Sequence, residues 1–227
     1  LHDALPIFTR INIKLTTDTE TEINSQSSKV SAENIKEFFG TLEGLNSEDT
    51  VFLSGNIIPG MESDDFVKIA EKVRQKGAKL VVDSNKDMVL NTLKYKPFIV
   101  KPNEFELGEM FGVELSTIED IKKYAGKLQE MGAQNVLVSR GSKGAILFTS
   151  TGEVLGANIA KGKVVSTIAA GDSMLAMFVA KYDETKDFRL SLQYASAAGG
   201  ATSFSAGVGK KELIEELLVQ IKVDEVL

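Results

Sequence analysis

Residues 79–103 read KLVVDSNKDMVLNTLKYKPFIVKPN. Leu80–Val82 is a short apolar run that stops at Asp83, and Phe98–Val100 is a second one that stops at Lys101-Pro102-Asn103. The stretch between them, about Lys86–Leu93, has the composition of a helix. Short apolar runs that end abruptly in polar residues, joined by a helix, read as buried strands of a parallel sheet.

The pattern continues upstream. Val51–Leu53 is another apolar run, ending at Ser54-Gly55-Asn56. Phe66, Ile69, Ala70 and Val73 then mark one face of a helix that Gly77 closes. Further back, Ser31 is placed to cap a helix carrying Ile35, Phe38, Phe39 and Leu42 on one side. At the start, Ile11, Ile13 and Leu15 alternate with Arg10, Asn12 and Lys14, and Thr21–Asn24 can return as a second strand. That is a polar β-hairpin.

Downstream, Ser116-Thr117-Ile118-Glu119 reads as a capping box for a helix bearing Ile121, Ala125 and Leu128. Strands are expected at Val136–Val138, Ala145–Phe148, Val154–Ala157 and Val164–Thr167. Helices are expected at Met174–Ala180, Leu190–Ser203 and Glu212–Ile221. Alternating strands and helices with short links argue an α/β fold with a mostly parallel sheet covered on both faces.

Composition narrows the chemistry. The 227 residues include no Cys, no Trp and one His, His2. Thiolate metal sites, cysteine nucleophiles and His-based triads are therefore excluded. The net charge of 26 − 32 = −6 argues against a nucleic-acid partner. No apolar run approaches about 18 residues, so a membrane-spanning helix is not expected. No GxxxxGK[ST] or GxGxxG segment occurs, and Gly207-Val208-Gly209-Lys210 reads as a turn before the last helix.

In open α/β sheets ligands bind beyond the carboxyl ends of the strands. The residues to watch are therefore Ser54-Gly55-Asn56, Asp83-Ser84-Asn85, Lys101-Pro102-Asn103 with Glu106, Ser139-Arg140-Gly141 and Ala170-Gly171-Asp172. The sharpest signal is TIAAGDSMLA, Thr167–Ala176. Small residues allow close backbone approach, and the helix that follows turns its free N–H groups and positive dipole end outward. A phosphoryl group suits that hole, and Asp172 is placed to accept a proton from an attacking hydroxyl. Asp is equally a favoured helix cap. Asn103 and Glu106, three residues apart, suit Mg²⁺ held through water, or else an ordinary cap beside a solvated carboxylate. Asp83 is either catalytic or the cap of the next helix.

Taken together, these motifs resemble the PfkB family of ribokinase-like sugar kinases. The matching segments are Ala169–Ser173, Lys101-Pro102-Asn103 with Glu106 and Leu107, Ser54-Gly55 with Pro59-Gly60, Val82-Asp83-Ser84, and Val136–Ser139 with Gly141, Gly144 and Ala145. The resemblance implies a three-layer αβα sandwich with a small β-hairpin lid. It implies ATP and Mg²⁺ as cofactors, the helical stretch Ala197–Gly209 as the wall of the adenine pocket and, as in some members, a monovalent cation on backbone carbonyls around that stretch. It implies that Asp172 is the base, with Ala170, Gly171 and the Asp172 backbone as the anion hole. Asn103 and Glu106 would hold Mg²⁺ through water. Lys101, Ser139, Gly141, Gly144, Ala198, Ser205 and Gly207 would contact the nucleotide. Arg10, Asn12, Lys14 and Ser54 would bind the sugar phosphate.

Asn12 and Lys14 in the lid strand point, within the family, to the branch that phosphorylates D-fructose 1-phosphate to the 1,6-bisphosphate. Tagatose 6-phosphate, fructose 6-phosphate and a non-catalytic ATP-binding role are the alternatives. A cytoplasmic homodimer paired through the lid is implied, with no nucleic-acid or membrane partner. Residues 1–8 match nothing in the family and read as a foreign stretch, 9–28 as a partial lid and 29–227 as the catalytic unit. Family members carry a longer N-terminal segment with sugar-binding groups, so a chain prone to associate is expected. The family's first motif glycine is Ala169 here; a positive φ at that position would cost about 1–2 kcal/mol.

Overall fold

The computed structural model describes residues 12–16, 20–25 and 28–226. Leu1–Phe8 and Arg10 lie outside them. The two first strands, β1 (Asn12–Thr16) and β2 (Glu20–Asn24), pair antiparallel in a separate ribbon, with Asn12 opposite Asn24 and Thr16 opposite Glu20. This is the hairpin expected from the alternation, and its Ile13 and Ile23 are half exposed.

The remaining strands form one seven-stranded sheet in chain order: β3 (Thr50–Gly55), β4 (Lys79–Ser84), β5 (Ile99–Val100), β6 (Asn135–Ser139), β7 (Ala145–Phe148), β8 (Val154–Ala157) and β9 (Val223–Glu225). Strands β3 to β6 run parallel, and β6 to β9 continue as antiparallel neighbours, so β8 regains the direction of the first four. The apolar runs behave as buried strands should, with successive side chains on opposite faces. Leu80 and Val82 enter one core together with Val100, Val136 and Val138, while Val81, Ile99 and Leu137 enter the other.

Helices α1 (Ala32–Thr41), α2 (Ser63–Gln75), α3 (Lys86–Thr92), α4 (Glu104–Phe111) and α5 (Ile118–Glu130) belong to the first layer. Its core takes Phe66, Ile69 and Val73 from α2 and Ile121 and Leu128 from α5. Helices α6 (Ala170–Thr185), α7 (Phe188–Ser203) and α8 (Lys211–Leu218) form the other, around Phe178, Leu192 and Leu217. The result is the three-layer αβα sandwich. Ser31 caps α1 by accepting from the Asn34 N–H at 3.1 Å. Among the described residues no helix is long and apolar enough to cross a membrane.

Three expectations are corrected. Val164–Thr167 is not a strand: Val165 and Ser166 donate their N–H groups to the Ser203 carbonyl at the end of α7, and Val164 and Val165 stay exposed. The capping box of α5 is Thr117 with Asp120, one residue later than the Ser116–Glu119 reading, because the Asp120 carboxylate reaches the Ser116 and Thr117 N–H groups together. Asp83 does not cap α3; Asn85 does, accepting from Met88 at 3.2 Å. Strand β9 was not anticipated, since Val-Asp-Glu offers no apolar run.

Candidate active site

Parallel register places the strand ends in rows. Ser54 stands opposite Asp83, and Val82 opposite Val100, which sets Asp83 beside Lys101 one step on. The Lys101 Nζ lies 3.2 Å from the Asp83 carboxylate, with both side chains largely buried. Two residues further, Asn103 bridges to Ser139, and the Ser139 N–H donates to the Pro102 carbonyl at 3.0 Å. The polar ends of β3 to β6 therefore share one edge.

Helix α6 brings its N-terminus to that edge. A Cβ on Gly171 would sit 3.0 Å from Lys101 Nζ, so the ammonium packs directly against the first turn of α6. Burial pushes the Asp83 carboxyl above its ordinary pKa; Lys101 pulls it back, and the charges of Asp172 and Glu106 add to the upward push. One ammonium thus stands among three carboxylates.

The start of α6 carries no side-chain cap. Its N-cap position is Ala169, held at φ 60°, ψ 7°, the left-handed region. The Ala170 N–H donates to Thr167 at 3.3 Å, which removes it from the expected anion hole, and the Ser173 N–H closes the first helical bond on Ala169. The Gly171 and Asp172 N–H groups have no acceptor inside the helix. Asp172 itself is exposed.

Beside this edge lies a cavity of about 580 Å³, lined among others by Asn103, Ser139, Gly141, Gly144, Ala170 and Gly171. Ile159, Val164, Met174 and Phe204 give it a more apolar part. Gly144 is required by the fold: its φ is +87°, and a Cβ there would fall 2.0 Å from the Ala157 carbonyl oxygen. Helix α7 meets the cavity through Gly199 and Gly200, whose missing side chains leave the room.

Residues 9–214 match the family described as pfkB family carbohydrate kinase. The chain belongs to that family. It is 40% identical over 95% of its length to the 1-phosphofructokinase of Bacillus subtilis, covering 71% of that protein. It is 34% identical to the D-tagatose-1-phosphate kinase of Bacillus licheniformis, over 94% of this chain and 70% of that one. A solved chain from Staphylococcus aureus superposes with a TM-score of 0.84 at 34% identity, covering 95% of this chain and 70% of that one. The ribokinase of Arabidopsis thaliana, at 22% identity and a TM-score of 0.67 over 88% of this chain and 65% of that one, shares the fold.

The residues expected to serve this carbohydrate kinase fall into groups. Lys101, Asp83, Asp172, Glu106 and Gly171 come together at the strand ends. Asn103, Ser139, Gly141, Gly144, Ala170 and Gly171 line the cavity. Ala198, Ser205 and Gly207 do not: Ala198 is buried in the core, Ser205 donates its hydroxyl to the Ala201 carbonyl at 2.8 Å, and Gly207 is exposed beyond α7. Ser54 stands exposed beside Asp83. Asn12 and Lys14 sit in β1, and Arg10 lies outside the described residues.

Asn103 and Glu106 form a reciprocal capping box on α4, each accepting from the other's N–H at 2.8 Å. That leaves one Glu106 oxygen and the Asn103 amide N–H₂ group free. Among the described residues no group of three or more His, Asp or Glu side chains is placed to hold a bare ion. The arrangement fits Mg²⁺ that arrives with a triphosphate and keeps its water. Ile159 and Val164, which the sequence did not mark as cavity residues, come from an irregular segment without periodicity, whereas Gly199, Gly200, Ser203 and Phe204 fall in the stretch expected to wall the pocket.

Proposed function

We propose that the chain transfers the γ-phosphoryl group of ATP to the 6-hydroxyl of D-fructose 1-phosphate. The observation that carries the reading is Lys101, held by Asp83 at 3.2 Å and packed on Gly171, so that a cation and free N–H groups converge beside Asp172. The 1-phosphofructokinase relative supports the substrate.

In this reading the Gly171 and Asp172 N–H groups and the α6 dipole hold the transferring phosphoryl oxygens. Lys101 meets the same charge. The sugar oxygen bonds to phosphorus as the bond to the β-phosphate oxygen breaks, its proton passes to Asp172, and ADP leaves. Glu106 and Asn103 would hold Mg²⁺ through water, and the ion would supply charge neutralisation across the phosphates. Asn12 and Lys14 of β1, Arg10 two residues before that strand in sequence, and Ser54 at the end of β3 are the proposed contacts for the sugar phosphate.

The tagatose relative favours a second reading, tagatose 1-phosphate. The two sugars differ at C4 and present the same 6-hydroxyl. The test is ADP release with Mg·ATP and, in parallel, fructose 1-phosphate, tagatose 1-phosphate, fructose 6-phosphate and tagatose 6-phosphate. Turnover is expected to be greatest with fructose 1-phosphate and to fall about 10²–10⁴-fold in Asp172→Asn. A higher rate with tagatose 1-phosphate selects the second reading. No turnover with any sugar, while ADP binds, leaves a non-catalytic nucleotide-binding fragment.

A further inference from the structure

Glu104 is the first residue of α4 and takes no part in the Asn103–Glu106 capping box. Its carboxylate reaches across to the turn after β6. Arg140 Nε donates to Glu104 Oε1 at 2.8 Å, and Lys143 Nζ donates to Oε2 at 3.2 Å. One carboxylate thus bridges both ends of the Arg140–Lys143 turn. The Arg140 and Glu104 side chains are 16% and 27% exposed, and that of Lys143 is 63% exposed. The Arg140 pair is therefore partly desolvated, while the Lys143 pair sits in water and is worth little.

Between the two cations stand Gly141 and Ser142, and both line the 580 Å³ cavity. Other contacts hold the ends of this segment. The Arg140 N–H donates to the Gly144 carbonyl at 2.8 Å, Gly144 is backed by the Ala157 carbonyl, and Ser139 is bridged to Asn103. The tip is different. Gly141 has a φ of +54°, and a Cβ there would find no atom within 4 Å. Packing does not fix it, and the Glu104 bridge ties the turn to α4.

We propose that Glu104 is a positioning residue: through Arg140 it fixes the Gly141–Ser142 backbone against the start of α4, so that a phosphoryl donor and the groups at the strand ends stay aligned for transfer. This rests on the kinase reading above. In this role Glu104 acts through Arg140 and not on the reacting atoms. Small misplacements far from the chemistry cost rate.

The experiment compares kcat and the KM for fructose 1-phosphate in the parent, Glu104→Ala, Glu104→Gln, Arg140→Ala, Lys143→Ala and the double variant Glu104→Ala/Arg140→Ala, with melting of each protein. Glu104→Ala is expected to lose about tenfold in kcat and to keep its KM for fructose 1-phosphate. Glu104→Gln, whose amide oxygen still accepts from Arg140, should retain most of kcat. Lys143→Ala should stay within about twofold of the parent. The double variant should be no slower than the slower single one, because the two residues act as a unit. A lower melting temperature for Glu104→Ala with kcat intact marks a clamp that serves only the fold and overturns the inference alone. So does a loss that Glu104→Gln shares in full, or one that adds to the loss in Arg140→Ala. A parent chain without turnover overturns the kinase reading, and this inference with it.

Discussion

Lys101 shows how one side chain ties stability to chemistry. Its ammonium is largely buried and its ion-pair partner is Asp83, whose carboxyl is already pushed above its ordinary pKa by burial. Removing the cation leaves a buried carboxylate unpaired, which costs far more than the pair contributes. Lys101→Met is expected to lose about 3 kcal/mol of stability at neutral pH. The sign with pH follows from linkage. Because the folded Asp83 pKa is raised, the folded chain binds that proton more tightly than the unfolded chain, and its unfavourable effect is present above that pKa. The deficit of Lys101→Met should therefore shrink as pH falls through the raised Asp83 pKa. Chemical denaturation of both chains across the acid range measures it; a deficit that is constant with pH would refute the pairing.

Helix α6 begins in an unusual way. Its N-cap is an alanine in the left-handed region, with no side chain to accept the first N–H groups. The first turn of α6 lies against Lys101 with its Gly171 and Asp172 N–H groups uncapped, and the fold holds Ala169 in that region at a cost of about 1–2 kcal/mol. Glycine relieves the strain but gives the unfolded chain more freedom, worth about 0.4–1 kcal/mol. Ala169→Gly is thus expected to raise the melting temperature by about 1–3 °C, measured by calorimetry. A lower melting temperature would show that the alanine methyl contributes packing that outweighs its backbone strain. The capping box of α4 tells a complementary story: Asn103 and Glu106 serve the helix and still leave polar atoms facing the site.

The molecule as a whole has an uneven sheet. Strand β3 pairs with β4 alone among the described strands, so its far edge presents backbone donors and acceptors. Phe52 lies in register with Val81, on the face covered by α6 to α8, yet it is 43% exposed because those helices do not reach the edge. An aromatic on a free strand edge favours association. The chain is expected to associate with rising concentration, and Phe52→Lys to reduce it, as followed by light scattering. A parent sample that stays monodisperse at high concentration and melts cooperatively would count against this.

Apolar runs ending in Asp83, Lys101 and Ser139 were enough to read the parallel strands and the edge where polar groups collect, since burial on both faces demands such runs and ligand chemistry follows their ends. The TIAAGDSMLA segment likewise carried the start of α6 and Asp172, because small residues before a helix have few other uses. The sequence did not reveal that Ala170 turns its N–H to Thr167, that Ile159 and Val164 line the cavity, or that Asp83 pairs with Lys101 instead of capping α3. Nor did it show that Glu104 bridges Arg140 and Lys143. Local pattern encodes which face of an element is apolar. Which polar groups meet across elements depends on register and on helix placement, and those are decided when the layers pack.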